Sequence, residues 1–292
     1  GWDAFAPVPY DEWPEGQPGL LEPPPTITSL VVQEDQWLLW VGSNATLDRV
    51  DEMRAFAYHA TLEVAAMAQT ADDTLFIAGP TGSLKFPEGT PITSAFSRES
   101  APAVAVAALA PDDVWFAAPD GVRHYQGLFA GLFEFPGAPV LHAIGGASQS
   151  ALFTVGDHGR LFRFDRQRQQ FGPMQTGTDA NLLALWAASP ELAFAVGESG
   201  TILRFDGSGW QPEMSGVKVT LRAVTGLRRD GSWQVFAAGD SGTILRRRGP
   251  GSWTAEASGT ARDLHALTAA GPWVLAGGER YTLLRKEIPG YR

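Results

Sequence analysis

The chain has 292 residues, 44 % of them apolar, and a formal net charge of −10 at pH 7. Such a length can bury a sizeable core, while the acidity argues against phosphate-backbone binding, which needs a basic stripe. No apolar run is long enough to span a membrane, and the absence of Cys excludes disulfides and thiol chemistry.

The N-terminal stretch "GWDAFAPVPYDEWPEG" lacks the basic start and apolar segment of a signal peptide. An opening Gly in place of Met is what a removed leader or a trimmed chain leaves. The expected location is cytoplasmic if Gly1 lies near the native start, and periplasmic or exported if a signal was removed. Residues 1–52 hold ten acids against one base, Arg49, and so carry −9 of the net charge. Such a surface either solvates the protein or steers a basic partner toward it.

From residue 27 onward the chain repeats itself. A small residue marks each copy: "LLWVGSNATLDRV" at Gly42, "LFIAGPTGSLKF" at Gly79, "VWFAAPDGVRHY" at Ala118 and "LFTVGDHGRLFRF" at Gly156. It returns in "AFAVGESGTILRF" at Gly197, "VFAAGDSGTILRR" at Gly239 and "WVLAGGERYTLLRK" at Gly277. Seven copies at this spacing identify a repeat architecture. The sixth copy reads as four strands: "TLRAVTG", the apolar "WQVFAAG", then after the turn "DSG" the strand "TILRRR", and after "GPGSW" a polar "WTAEASG". Even the most helix-like stretch, "VDEMRAFAYHATLEVAAMA", falls on strands in this frame.

Four-stranded units at this period predict an all-β, seven-bladed propeller of antiparallel blades. Each sheet is apolar on both faces and must be covered by its neighbours, and closing the circle leaves no uncovered face. The first strands converge on an axis and need small side chains. Their third position is Ser29, Ala66, Ala105, Ala143, Ala184, Ala223 or Ala266. The last copy stops at "EIPGYR" without a fourth strand. The domain reading is therefore an arm, 1–24, that supplies the outer strand of the last blade, and a propeller, 25–292. Residues 10–19, with Trp13, or else 2–8, are expected to form that strand, an edge position that tolerates Pro.

"GESGTILRFDGSGW" and "GDSGTILRRRGPGSW" resemble the repeats of propellers of the photosystem II assembly-factor type and of the bacterial neuraminidase (Asp-box) repeat. "DGSGW", Asp206 to Trp210, is close to an Asp-box turn, whereas "RGPGSW" lacks the Asp. The "GH…WD" signature of WD40 proteins is absent. The resemblance implies the wheel, and implies little chemistry, because such repeats serve enzymes and binding proteins alike.

A basic residue follows the turn in every copy: Arg49, Lys85, Arg123, Arg163, Arg204, Arg246 and Arg285. Periodicity points to stems that cover blade faces. Arg163, Arg166 and Arg168, with Arg246, Arg247 and Arg248, thicken this charge into a candidate anion patch. The variable second position of the inner strand reads Thr28, Ala65, Val104, His142, Leu183, Arg222 and His265, so His142, Arg222 and His265 are expected in a central channel. No ligand spacing announces a metal, and no cofactor is expected. The turn acids Asp157, Glu198 and Asp240 are expected to accept turn N–H bonds.

These features point to a non-catalytic scaffold for a protein partner, possessing a basic surface, with no role for nucleic acid or membrane insertion. The expected partner surface is Trp2, Tyr10, Glu12, Trp13, Asp35, Trp37, Asp48, Asp51 and Glu52, an acidic and aromatic set. The alternatives are an acidic inhibitor or immunity-type protein that caps a basic enzyme or toxin, and a sialidase-like glycoside hydrolase.

Overall fold

A computed structural model of the chain describes residues 1–4, 25–33, 38–44, 46–50, 56–61, 63–86, 97–99, 102–127, 129–135, 137 and 139–289. Among them the strands form seven four-stranded sheets, each antiparallel throughout. Blade 1 is β2 (Ile27–Gln33), β3 (Leu38–Ser43), β4 (Thr46–Val50) and β5 (Phe56–Thr61). Blade 2 is β6 (Ala66–Gln69), β7 (Leu75–Gly79), β8 (Gly82–Phe86) and β9 (Ser97–Glu99). Blade 3 is β10 (Ala105–Ala110), β11 (Asp113–Ala118), β12 (Gly121–Tyr125) and β13 (Phe129–Phe133). Blade 4 is β14 (Leu141–Gly146), β15 (Leu152–Gly156), β16 (Leu161–Asp165) and β17 (Gln170–Met174). Blade 5 is β18 (Leu182–Ser189), β19 (Leu192–Gly197), β20 (Ile202–Phe205) and β21 (Trp210–Glu213). Blade 6 is β22 (Leu221–Arg229), β23 (Ser232–Gly239), β24 (Ile244–Gly249) and β25 (Ser252–Glu256). Blade 7 is β26 (Leu264–Ala270), β27 (Trp273–Gly278) and β28 (Thr282–Glu287), completed by β1 (Asp3–Ala4) from the other end of the chain.

The sheets lean on one another as their two apolar faces require. Phe194 and Val196 of blade 5 pack with Leu221, Val224 and Trp253 of blade 6. Ile27, Leu30 and Val41 of blade 1 pack with Ala266, Leu275 and Leu283 of blade 7, which closes the circle. Each such side chain contributes about 1.5–3 kcal/mol by leaving water. The small residue of the inner strand meets a small or β-branched partner on the second strand, as in Ala223↔Ala238 and Ala143↔Val155. Register makes Ser43 and Gly278 the equivalents of Gly239, one residue beyond the Gly42 and Gly277 that mark the repeat in the sequence.

The closing strand comes from the earlier of the two expected segments. Asp3 pairs with Arg285 and Ala4 with Leu284. Residues 10–19, Trp13 included, lie outside the described residues. Continuing that register sets Trp2 beside Lys286, as Trp253 sits beside Arg247 in blade 6. Trp2 is buried, its ring edge-on to Phe236 at 6.4 Å.

The seven basic residues occupy one register position on the third strand of their blades. Six of them stand directly across from an aromatic residue of the second strand: Trp40↔Arg49, Phe76↔Lys85, Phe116↔Arg123, Phe153↔Arg163, Phe194↔Arg204 and Phe236↔Arg246. Arg285 pairs with Leu275 and reaches over the Trp273 ring at 4.9 Å. Lys85 lies over Phe76 at 5.7 Å and Tyr125 at 5.2 Å, and Arg163 over Phe153 and Phe205 at 5.5 and 5.3 Å. Arg246 lies over Phe236 at 5.5 Å, so for Lys85, Arg163, Arg246 and Arg285 the stem covers a blade face while the cation sits on a ring face.

Candidate functional site: the channel mouth on the turn face

Strands alternate in direction, so the turn between second and third strands shares one end of the wheel with the loop that leads to the next blade. This end is called the turn face. In blades 4 to 7 the turn is a single 3-10 turn: Asp157–Gly159, Glu198–Gly200, Asp240–Gly242 and Glu279–Tyr281. Its second residue takes a left-handed conformation, φ 55° at His158, 56° at Ser199, 57° at Ser241 and 51° at Arg280. Gly239, just before one such turn, has no room for a side chain, because a Cβ there would meet the carbonyl oxygen of Thr220, the residue that precedes its own inner strand.

The inner strands enter the channel from this same end. In blades 1, 4, 5, 6 and 7 the ladder slips between the first and third residues of the motif, leaving the second as a bulge: Thr28, His142, Leu183, Arg222 and His265. A bulge re-aims its side chain. All seven variable positions, with Ala65 and Val104, line a central channel of about 400 Å³. His142, Arg222 and His265 thus lie in one cavity.

The turn acids complete the mouth. Asp157 Oδ1 lies 2.6 Å from His142 Nε2, and Arg222 Nε donates to Asp240 Oδ1 at 2.5 Å. Glu198 accepts from Asn181 Nδ2 at 3.2 Å. These carboxylates therefore face the inner strand and its approach. The turn itself is closed by backbone bonds such as Thr243 N–H to the Asp240 carbonyl at 3.1 Å. Neighbouring blades are stitched together here, since Asn181 accepts from His158 N–H at 2.9 Å and Asp263 from Ser241 N–H at 2.8 Å. In blade 7, burial and then the Arg222 charge push the His265 imidazolium down in pKa, so the ring is neutral at pH 7.

The other sequence candidates are dispersed. Arg163 donates to the Ser150 carbonyl, and Arg168 pairs with Asp165 at 2.9 Å. Arg166 lies on the exposed turn between β16 and β17. On blade 6, Arg247 grips Glu213 with two bonds, 2.9 and 2.8 Å, while Arg246 and Arg248 lie 3.7 and 3.5 Å from Glu256. The six arginines thus belong to two blades, with a third between them, and five of them are engaged with their own surroundings. Of the nine expected partner-surface residues, Tyr10, Glu12, Trp13, Asp35, Trp37, Asp51 and Glu52 lie outside the described residues. Trp2 and Asp48 are 8 % and 0 % exposed, and Asp48 accepts from Thr46 Oγ1 and the Tyr281 hydroxyl, so neither presents surface.

Sequence reasoning missed Asn181 and Asp263, whose place ahead of the inner strand carries no repeated residue type. It also missed Glu213 and Glu256. Each ends a fourth strand and accepts both the cation and the indole of the next blade: Arg247 and Trp253 on Glu213, Lys286 and Trp2 on Glu256. Burial alone would raise these two carboxyls in pKa, but the hydrogen bonds from Arg247 and Trp253, and from Lys286 and Trp2, bring them below the usual range. The one readable signal was the spacing from each fourth-strand Trp to its Glu, three residues on in "WQPE" and "WTAE".

Asp206 organises the Asp-box-like turn. It accepts from Ser208 Oγ at 2.7 Å, Ser208 N–H at 3.0 Å and Gly209 N–H at 3.1 Å, which lowers its pKa to about 2.

No protein-family model and no curated protein matches this sequence. Solved structures do resemble the wheel. The WD40 repeats of RRP9 superpose with a TM-score of 0.73 at 12 % identity, over 89 % of this chain and 93 % of that one. A catalytically inactive virginiamycin B lyase from Staphylococcus aureus, solved with quinupristin, superposes with a TM-score of 0.77 at 11 % identity, over 91 % and 96 %. At such identities the likeness is one of fold. The chain is a seven-bladed β-propeller similar in shape to both WD40 and lyase propellers.

Proposed function

We propose that this protein is a non-catalytic platform that binds a protein partner on the turn face, as an assembly factor or a subunit of a larger complex. The observation that carries this reading is where apolar side chains meet water. Among the described residues four large apolar side chains are exposed: Val104, Leu132, Val140 and Met214. Three of them belong to the turn face. Val104 lines the channel mouth, Val140 ends the approach to blade 4, and Met214, 84 % exposed, opens the loop to blade 6. Apolar groups ringed by polar turns suit docking. The carboxylates Asp157 and Asp240 are held in place by His142 and Arg222, which gives the face fixed polar groups. The acidic balance of the chain suits a partner with a basic surface.

The test is affinity capture from the native host with mass spectrometry, followed by binding measurements with the purified partner. A Val140→Glu/Met214→Glu variant should lose the partner. Leu132→Glu, on the outer strand of blade 3, should retain it, and raising salt should weaken the wild-type complex. Equal binding by the double variant would sink the docking face. Turnover on a panel of sialosides and other glycosides would overturn the non-catalytic reading.

A further inference from the structure

We propose that Asp263, His265 and Glu279 form a binding site for one divalent transition-metal ion at the channel mouth of blade 7. Asp263 immediately precedes β26, His265 is the bulged second residue of its inner motif, and Glu279 opens the turn after β27. The pairing of Leu264 with Gly278 brings the three together. One ligand atom from each lies within 4.8 Å of the others. Metal–ligand bonds of about 2.0–2.2 Å set neighbouring ligand atoms about 3–4 Å apart, so modest side-chain rotation closes the site.

The comparison among blades singles out this place. Blade 4 has the same inner His, but Val140 stands where blade 7 has Asp263, and His142 is spent on Asp157 at 2.6 Å. Blade 6 has Arg222, which bonds Asp240. Blade 5 has Leu183. His265, half-buried, faces two carboxylates and makes neither a hydrogen bond nor an ion pair with them. Both carboxylates are already oriented from behind. Asp263 Oδ1 accepts from Ser241 N–H at 2.8 Å, and Glu279 Oε2 accepts from Asp263 N–H at 3.2 Å. Each keeps a second oxygen for a ligand bond, and backbone donors of this kind fix ligand geometry. An unprotonated imidazole nitrogen supplies the lone pair that a metal ion needs. Arg222 is the nearby cation, and its charge is offset by Asp240. One nitrogen and two carboxylate oxygens, open to the channel, suit Zn²⁺ or Co²⁺ rather than Ca²⁺, which takes more oxygens.

The experiment is calorimetric titration of the untagged, chelator-treated full chain with Zn²⁺, with Co²⁺ absorption as a second readout. One ion per chain is expected. His265→Ala should weaken binding by about tenfold or more and abolish the Co²⁺ bands. Asp263→Asn, which keeps an acceptor for Ser241 N–H, should weaken it comparably while melting like wild type without metal. His142→Ala should bind as wild type does. Absence of binding, unchanged affinity in both His265→Ala and Asp263→Asn, or equal loss in His142→Ala would overturn the site. None of these results bears on partner capture, so the two proposals stand or fall separately.

Discussion

The indole N–H of Trp2 donates to the Glu256 carboxylate at 3.1 Å, across 254 residues of sequence. The contact repeats the one between Trp253 and Glu213 one blade earlier, at 2.8 Å. The N-terminus thus enters the last blade as a copy of the fourth strand that the C-terminus lacks. The closure is a hydrogen-bonded interface of the same kind as its neighbours.

Removing Trp2 should therefore open the circle. Trp2→Ala loses a buried ring and is expected to cost about 3–5 kcal/mol in denaturant-induced unfolding. Trp2→Phe keeps the packing on Phe236 and loses the bond to Glu256, so its cost should be nearer 1 kcal/mol. Equal stability of all three proteins would show that the ring does not depend on this strand.

Acid should act through Glu213 and Glu256. Both fold with carboxyl pKa values below the ordinary 4.5. A depressed carboxyl adds stability that is complete above its unfolded pKa and disappears as pH falls through its folded one. Wild-type stability should accordingly fall as pH drops from about 5 through the lowered folded values. Glu213→Gln should lower stability at pH 7, because Arg247 loses its counter-charge, and should flatten the fall in acid. Urea unfolding measured across that pH range checks both.

The turn of blade 6 separates two kinds of backbone demand. Gly242 has φ +66°, and a Cβ there would meet the Thr260 carbonyl oxygen. Gly242→Ala should cost about 1–3 kcal/mol. Ser241 has φ 57° and already carries a side chain, so Ser241→Gly should stay within about 1 kcal/mol of wild type. Thermal and chemical unfolding of the pair distinguishes steric exclusion from turn preference.

At the junction of blades 4 and 5 the pattern lapses. Trp210 Nε1 is buried without a hydrogen-bond partner. The register that faces Ile202 with Glu213 faces Leu161 with Met174. Met174→Gln would supply an acceptor and should add about 1 kcal/mol. Met174→Glu should not stabilise, because Phe205 stands where blade 6 has Arg247, and a buried carboxylate there would lack its cation. Unfolding free energies of the two variants decide the matter.

The sequence by itself determined the wheel: the count of copies, their four strands, the small third residue of each inner strand and the variable second residue that faces the axis. These follow from short-range chemistry, since burial on both faces and tight turns leave a periodic signature within each copy. It also showed that the last copy lacks a strand, but not whether Trp2 or Trp13 would fill the place. Only the tertiary structure decided that Trp2 meets Glu256, that six of the seven basic residues lie across from aromatics, that Asp48 is buried against Tyr281, and that Asp263 and Glu279 flank His265. These depend on strand register within a blade, including the one-residue slip at a bulge, or on which blades become neighbours around the circle. The contacts of Trp2 with Glu256 and of Asp48 with Tyr281 join residues 254 and 233 apart in the chain, with burial and pairing that no single repeat contains, whereas the other two arise from register within one blade.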